Sequence, residues 1–119
     1  MPSELQHKEK YAENRKLLDN ELNIENEKYY NWISTVAFYA AMHLIEGKLA
    51  NDDIHNKTHL DRGNVVERYS YFRNIRTQYK TLHDRSIVAR YGKSSVNKKK
   101  AEQALKCLEE IEKEINIEV

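Results

Sequence analysis

Residues 32–45 read WISTVAFYAAMHLI, and their apolar side chains do not keep to one face. Extended from Glu25 to Ala50, the segment carries Trp32, Ile33, Val36, Ala37, Phe38, Tyr39, Ala40, Ala41, Met42, Leu44, Ile45 and Leu49 around most of a helical circumference. A helix that is apolar all round is surrounded by other helices. Ala37, Ala40, Ala41 and Gly47 would let those neighbours approach closely. The segment therefore predicts the central helix of a bundle. Ser34, Thr35 and His43 interrupt it, and it is shorter than the roughly 20 residues that span a bilayer, so no membrane span is expected.

Four further helices flank it. The first is expected after Ser3 as N-cap, with Tyr11, Arg15, Leu18 and Leu22 on one stripe, ending near Asn23. Asn51 to Asn56 reads as a polar loop, and Thr58 can cap a thin, peripheral third helix to about Tyr69, with Leu60, Val65 and Val66 as its apolar content. The fourth, about Tyr71 to Tyr91, gathers Phe72, Ile75, Tyr79, Leu82, Ser86 and Ala89 in a narrow arc, and Gly92 suits its C-terminal cap. Ser94 or Ser95 would cap a fifth helix carrying Val96, Ala101, Ala104, Leu108, Ile111 and Ile115 on one side. Loops this short make antiparallel neighbours. The expectation is a single all-α domain over residues 1–119, an up-and-down bundle of four to five helices.

Composition narrows the function classes. A chain of 119 residues fits one core and no two-domain enzyme. One proline and three glycines leave little to punctuate strands and nothing from which to build a glycine-rich phosphate loop. The lone Cys107 excludes an internal disulfide, and the first thirty residues are too polar and charged for a signal peptide, so a cytoplasmic protein is expected. The net charge of +1 conceals a segregation. Residues 61–100 carry 11 Lys and Arg against 3 Asp and Glu, whereas both flanking stretches are acidic. Such a block points either to an anionic partner or to a solvated helix pair.

Five histidines frame the candidate chemistry. His55 and His59, four apart beside Asp52, Asp53 and Asp61, have metal-ligand types, but in a half-looped stretch chance proximity explains them better, and no metal or other cofactor is expected. His43 lies mid-helix among apolar residues, either as a core histidine satisfied from another helix or facing a cleft, with Glu46 as its nearest charged neighbour. Arg76 and His83, seven residues apart, turn through 700° and share one edge of the fourth helix, roughly 10 Å apart. Tyr79 lies between them and Arg73, Lys80 and Arg90 lie around them. A histidine that titrates near neutrality can move a proton in phosphodiester cleavage, and a guanidinium can stabilise charge on the phosphate. The tyrosines at 69, 71, 79 and 91 either stack unpaired bases or belong to the core and its boundary.

The residues Trp32, Phe38-Tyr39-Ala40-Ala41-Met42-His43, His59-x-x-Arg62, Tyr79-x-x-Leu82 and Ser86-x-x-Ala89-Arg90-Tyr91 resemble small prokaryotic HEPN-type helical proteins, over about residues 28–92. The resemblance implies a bundle of four or five helices, commonly dimeric. It also implies either a metal-independent ribonuclease of toxin, antiviral or RNA-processing systems, or a non-catalytic module that binds RNA or nucleotide or partners a nucleotidyltransferase in a toxin–antitoxin pair. Active members carry an arginine, four to six residues, then a histidine, a pattern met by Arg76 and His83. These would be the catalytic residues, joined by a second subunit's copies. Arg62, Arg73, Tyr79, Lys80 and Arg90 would be the nucleic-acid-binding residues, with His43 and His59 as cleft candidates.

Overall fold

The computed structural model describes residues 3–92 and 96–115. Five helices run through them: α1 (Glu4–Asn20), α2 (Tyr30–Asn51), α3 (His59–Arg68), α4 (Arg76–Tyr91) and α5 (Lys98–Glu114). Single 3-10 turns stand at Glu27–Tyr29 and Ser70–Phe72, and no strand occurs among the described residues. The apolar circumference of α2 is covered by α1, α4 and α5. Ile33, Ala37, Phe38, Ala40, Ala41, Ile45 and Leu49 are inaccessible to solvent, and each large side chain so buried is worth about 1.5–3 kcal/mol. Trp32, in the first turn of α2, stands outside this packing at 62% exposed.

The helix starts follow local chemistry. Ser3 Oγ accepts from the Gln6 backbone N–H at 3.2 Å while Gln6 Oε1 accepts from Ser3 N–H at 2.7 Å, a reciprocal capping box. Thr58 Oγ1 accepts from Asp61 N–H at 3.0 Å and starts α3 as expected. The cap of α5 is Asn97, whose Oδ1 accepts from Lys100 N–H at 2.9 Å. Ser94 and Ser95, the caps expected from the sequence, lie outside the described residues.

The start of α4 differs from the sequence expectation. It begins at Arg76 rather than near Tyr71, because Ser70–Phe72 forms a 3-10 turn and Ile75 N–H bonds back to Phe72 O at 3.0 Å. A bond across three residues places Phe72 and Ile75 on one side, as an α-helix nearly does, so the apolar arc alone does not distinguish the two. At the other end Gly92 closes α4 with extended backbone, φ −73°, not the left-handed cap. A Cβ there would lie 2.5 Å from Val88 O, so glycine is required by close approach instead.

The third helix is peripheral, as its thin apolar content predicts. Only Arg62 and Val66 are buried in it, and polar bonds supply the rest of its hold. Arg62 Nε donates to Glu46 Oε1 on α2 at 2.5 Å, and Tyr69 Oη donates to Asp52 Oδ2 at 2.5 Å. Arg76 Nε and Nη2 donate to Val66 O and Tyr69 O at 2.9 and 3.3 Å. Those carbonyls lie at and just past the C-terminal end of α3, where helix carbonyls lack internal partners.

Candidate functional site

Between α3 and α4 lies a cavity of about 400 Å³ lined by Gly63, Val66, Arg76, Tyr79, Lys80 and His83, together with Glu67, Thr77 and Asp84. A Cβ at Gly63 would meet nothing within 4 Å, so this edge of the cavity is open space. The cavity holds Arg76 and His83 on one lining, as the shared helix edge predicts. The Arg76 guanidinium, however, is engaged with the end of α3 through two of its three nitrogens. Its first duty is to hold α3 against α4.

His83 belongs to a second grouping as well. Its ring packs on Phe38 with centroids 5.3 Å apart, runs parallel to Tyr79 at 6.3 Å, and faces the His59 ring at 5.7 Å. His59 also rests on Phe38, at 5.8 Å. One phenyl ring of the central helix thus supports two imidazoles from two other helices. Arg62 Nη1 lies 2.8 Å from His59 Nδ1. A guanidinium only donates, so Nδ1 of His59 accepts and the ring proton sits on Nε2.

Electrostatics keep both rings neutral at pH 7. Burial lowers the His59 pKa below its ordinary 6.5, and the charges of Arg62, of His83 when protonated and of Arg90 lower it further. For His83 burial is again the largest cause, with Arg90 and Arg62 adding to it and Asp84 opposing. Arg90 is anchored: Nη1 donates to Tyr39 Oη at 2.9 Å, Nε to Ser86 O at 3.2 Å and Nη2 to Ser86 Oγ at 3.3 Å, and its guanidinium lies over the rings of Tyr39 and Tyr91. No carboxylate pairs with it among the described residues.

The sequence-derived candidates therefore separate. His59, Arg62, Tyr79, His83 and Arg90 come together around Phe38 and Tyr39, and all of these but His83 are positions that carried the family resemblance. Arg62, expected among the nucleic-acid-binding residues, sits in a buried ion pair, being 7% exposed with its charge matched by Glu46, itself 4% exposed. Tyr79 takes the second of its expected alternatives, a core residue: it is 4% exposed and its ring lies against Phe38. Arg73 is exposed just before α4, and Lys80 lines the cavity. His43 takes the first of its two expected alternatives, a histidine satisfied from another helix: it faces α1, where His7 Nδ1 lies 3.0 Å from its own Nδ1, and it lines none of the described cavities.

His55 and His59 do not converge. His55 Nε2 lies 3.5 Å from Asp53, whereas His59 turns to Arg62. Among the described residues no group of three or more His, Cys, Asp or Glu side chains is placed to hold a metal ion, and no helix is long and apolar enough to cross a membrane.

Two residues escaped the sequence reading. His7, on a helix read only for its apolar stripe, is the partner of His43. Glu46, read as the neighbour of His43, pairs instead with Arg62, sixteen residues on. A mid-helix acid in an otherwise apolar segment was the available signal, because a buried carboxylate demands a cation.

An all-α bundle with this histidine and arginine grouping defines a class of small helical domain without a strand-borne nucleophile. The model of the HEPN domain matches residues 12–117, nearly the whole chain, and the protein belongs to that family. Comparison with curated proteins gave no match.

Proposed function

We propose that the chain binds RNA or a nucleotide at the junction of α3 and α4, with His59, His83 and Arg90 at the centre and Arg73 and Lys80 on the flank. The observation that carries the reading is the Arg90 guanidinium, fixed by three hydrogen bonds and without a carboxylate partner among the described residues, beside two neutral imidazoles. His83 and Arg90 lie in the stretch that holds the excess of positive charge, and His59 stands two residues before it. A neutral imidazole offers one donor and one acceptor to a sugar or phosphate, and the nearby charge favours the anion. Titration of labelled single-stranded RNA at increasing salt tests it. Affinity should fall steeply with salt as phosphate contacts release counterions, and a flat response, or no binding at low salt, would overturn the reading.

A second reading, metal-independent cleavage of RNA by Arg76 and His83, is favoured by their place on one cavity lining and by the neutral state of His83, the form a general base needs. Incubation with RNA in EDTA separates the two readings. Cleavage lost in His83→Ala supports catalysis, and cleavage unchanged in both His83→Ala and Arg76→Ala removes it. HEPN proteins pair with nucleotidyltransferases or antitoxins and form homodimers, and we propose protein partners of the same kinds here.

A further inference from the structure

We infer that His59 and His83 hold one phosphate group between them, with His59 fixed as an Nε2–H donor by a buried relay from Glu46 through Arg62. The inference rests on the reading above that this face takes a phosphate-bearing ligand, and it names the atoms and the ligand class.

The relay begins in the core. Glu46 is 4% exposed and accepts at Oε1 from both Arg62 Nε and Asn56 Nδ2, at 2.5 and 3.2 Å. A carboxylate so buried fixes the guanidinium in one orientation, because breaking the pair would leave an isolated charge in the interior. Arg62 then presents Nη1 to His59 Nδ1 at 2.8 Å. Arginine does not deprotonate, so this contact holds only while Nδ1 is an unprotonated acceptor. His59 is held as the tautomer whose Nε2 carries the proton, and the residue is exposed.

Across from it, among the described residues, the His83 ring is packed on Phe38 and Tyr79 rather than hydrogen-bonded. Two imidazoles with centroids 5.7 Å apart, one with a fixed N–H and the other without a protein partner, leave polar capacity that neither ring can satisfy on the other. A tetrahedral phosphate accepts from several directions at once, which suits two tilted rings with Arg90 nearby. The cavity that His83 also lines opens beside this pair, and it takes the sugar of a nucleotide whose phosphate lies on the two histidines.

Arg62 is here a positioning residue, since it acts through His59. The test follows the imidazole nitrogens of both histidines by NMR while inorganic phosphate, and then adenosine monophosphate, is added. The free protein should show His59 as the Nε2–H tautomer, and both ligands should move His59 and His83 together. His59→Ala should abolish the response at His83 and weaken the nucleotide about tenfold, which is about 1.4 kcal/mol. His59→Gln, which keeps an N–H donor, should recover part of it. The paired variant Glu46→Met with Arg62→Met replaces two buried charges by apolar groups and should stay folded, while His59 becomes a mixture of tautomers and affinity falls. Gly63→Leu, which projects into open space, should exclude the nucleotide but not inorganic phosphate.

His83 responding without His59, nucleotide affinity unchanged in His59→Ala, or the Nδ1–H tautomer in the native protein would each overturn the inference. RNA binding that persists without any histidine response leaves the broader reading standing and removes this one. Phosphate and nucleotide responses at both histidines without RNA affinity support this inference and narrow the broader reading to a nucleotide.

Discussion

His7 and His43 meet across α1 and α2 with their Nδ1 atoms 3.0 Å apart, whereas His59 and His83 face each other across α3 and α4 with ring centroids 5.7 Å apart. Burial is the largest cause lowering the pKa of all four. In the first pair one Nδ1 must donate to the other, so the two rings bond each other and tie α1 to α2. In the second, Nδ1 of His59 is taken by Arg62, both rings rest on Phe38, and neither imidazole bonds the other. The difference shows that the type and burial of a histidine do not decide its role. What decides it is whether the neighbouring helix brings a partner or only a support.

Three experiments bear on this contrast. The largest effect is expected at the support of the open pair. Glu46→Ala leaves the buried Arg62 without its counter-charge, and denaturant unfolding should show a loss of about 3–5 kcal/mol. Glu46→Met with Arg62→Met should recover most of that loss. If the single variant unfolds like the native chain, the open pair does not depend on the core.

A smaller effect, dependent on pH, belongs to the closed pair. The His43 pKa is lowered to about 4, first by burial and then by the charges of His7, Arg62 and Lys10 against the opposing Glu13. A folded value below the unfolded 6.5 means that the unfolded chain takes up the proton first. The neutral pair's contribution is therefore complete above pH 6.5 and is lost as pH falls from 6.5 toward about 4. Melting temperature should decline across that window in the native chain, and much less in His43→Phe. An identical decline in both would show that other groups carry the acid sensitivity.

The smallest effects lie at the surface cations. Arg73→Ala and Lys80→Ala should leave stability within ~0.5 kcal/mol of native, since neither side chain is in an ion pair among the described residues. Each should lower the salt slope of RNA binding by about 1. An unaltered slope would place the phosphates elsewhere.

The fold was legible where local chemistry and periodicity agree. The all-round apolar α2 predicted its own central place, Thr58 the start of α3, and the poverty of α3 its peripheral position. The start of α4 was not legible, because the apolar arc through Phe72 and Ile75 fits a 3-10 turn as well as an α-helix. For the site, spacing brought Arg76 and His83 onto one edge, and the structure keeps both at one cavity. Spacing cannot show what a guanidinium touches, and Arg76 reaches the carbonyls at the end of α3. The pairing of His59 with His83 was hidden for a related reason. It joins helices whose relative placement is set by a core phenyl ring and a buried carboxylate on a third.

The manner in which α3 is attached has a consequence for the two imidazoles. Its hold on the body comes chiefly from the side chains of Arg62, Val66, Tyr69 and Arg76 rather than from a broad apolar face. His59 rides on this segment and His83 on the firm one, so the interval between the two rings is set by a few side-chain bonds rather than by a shared apolar face.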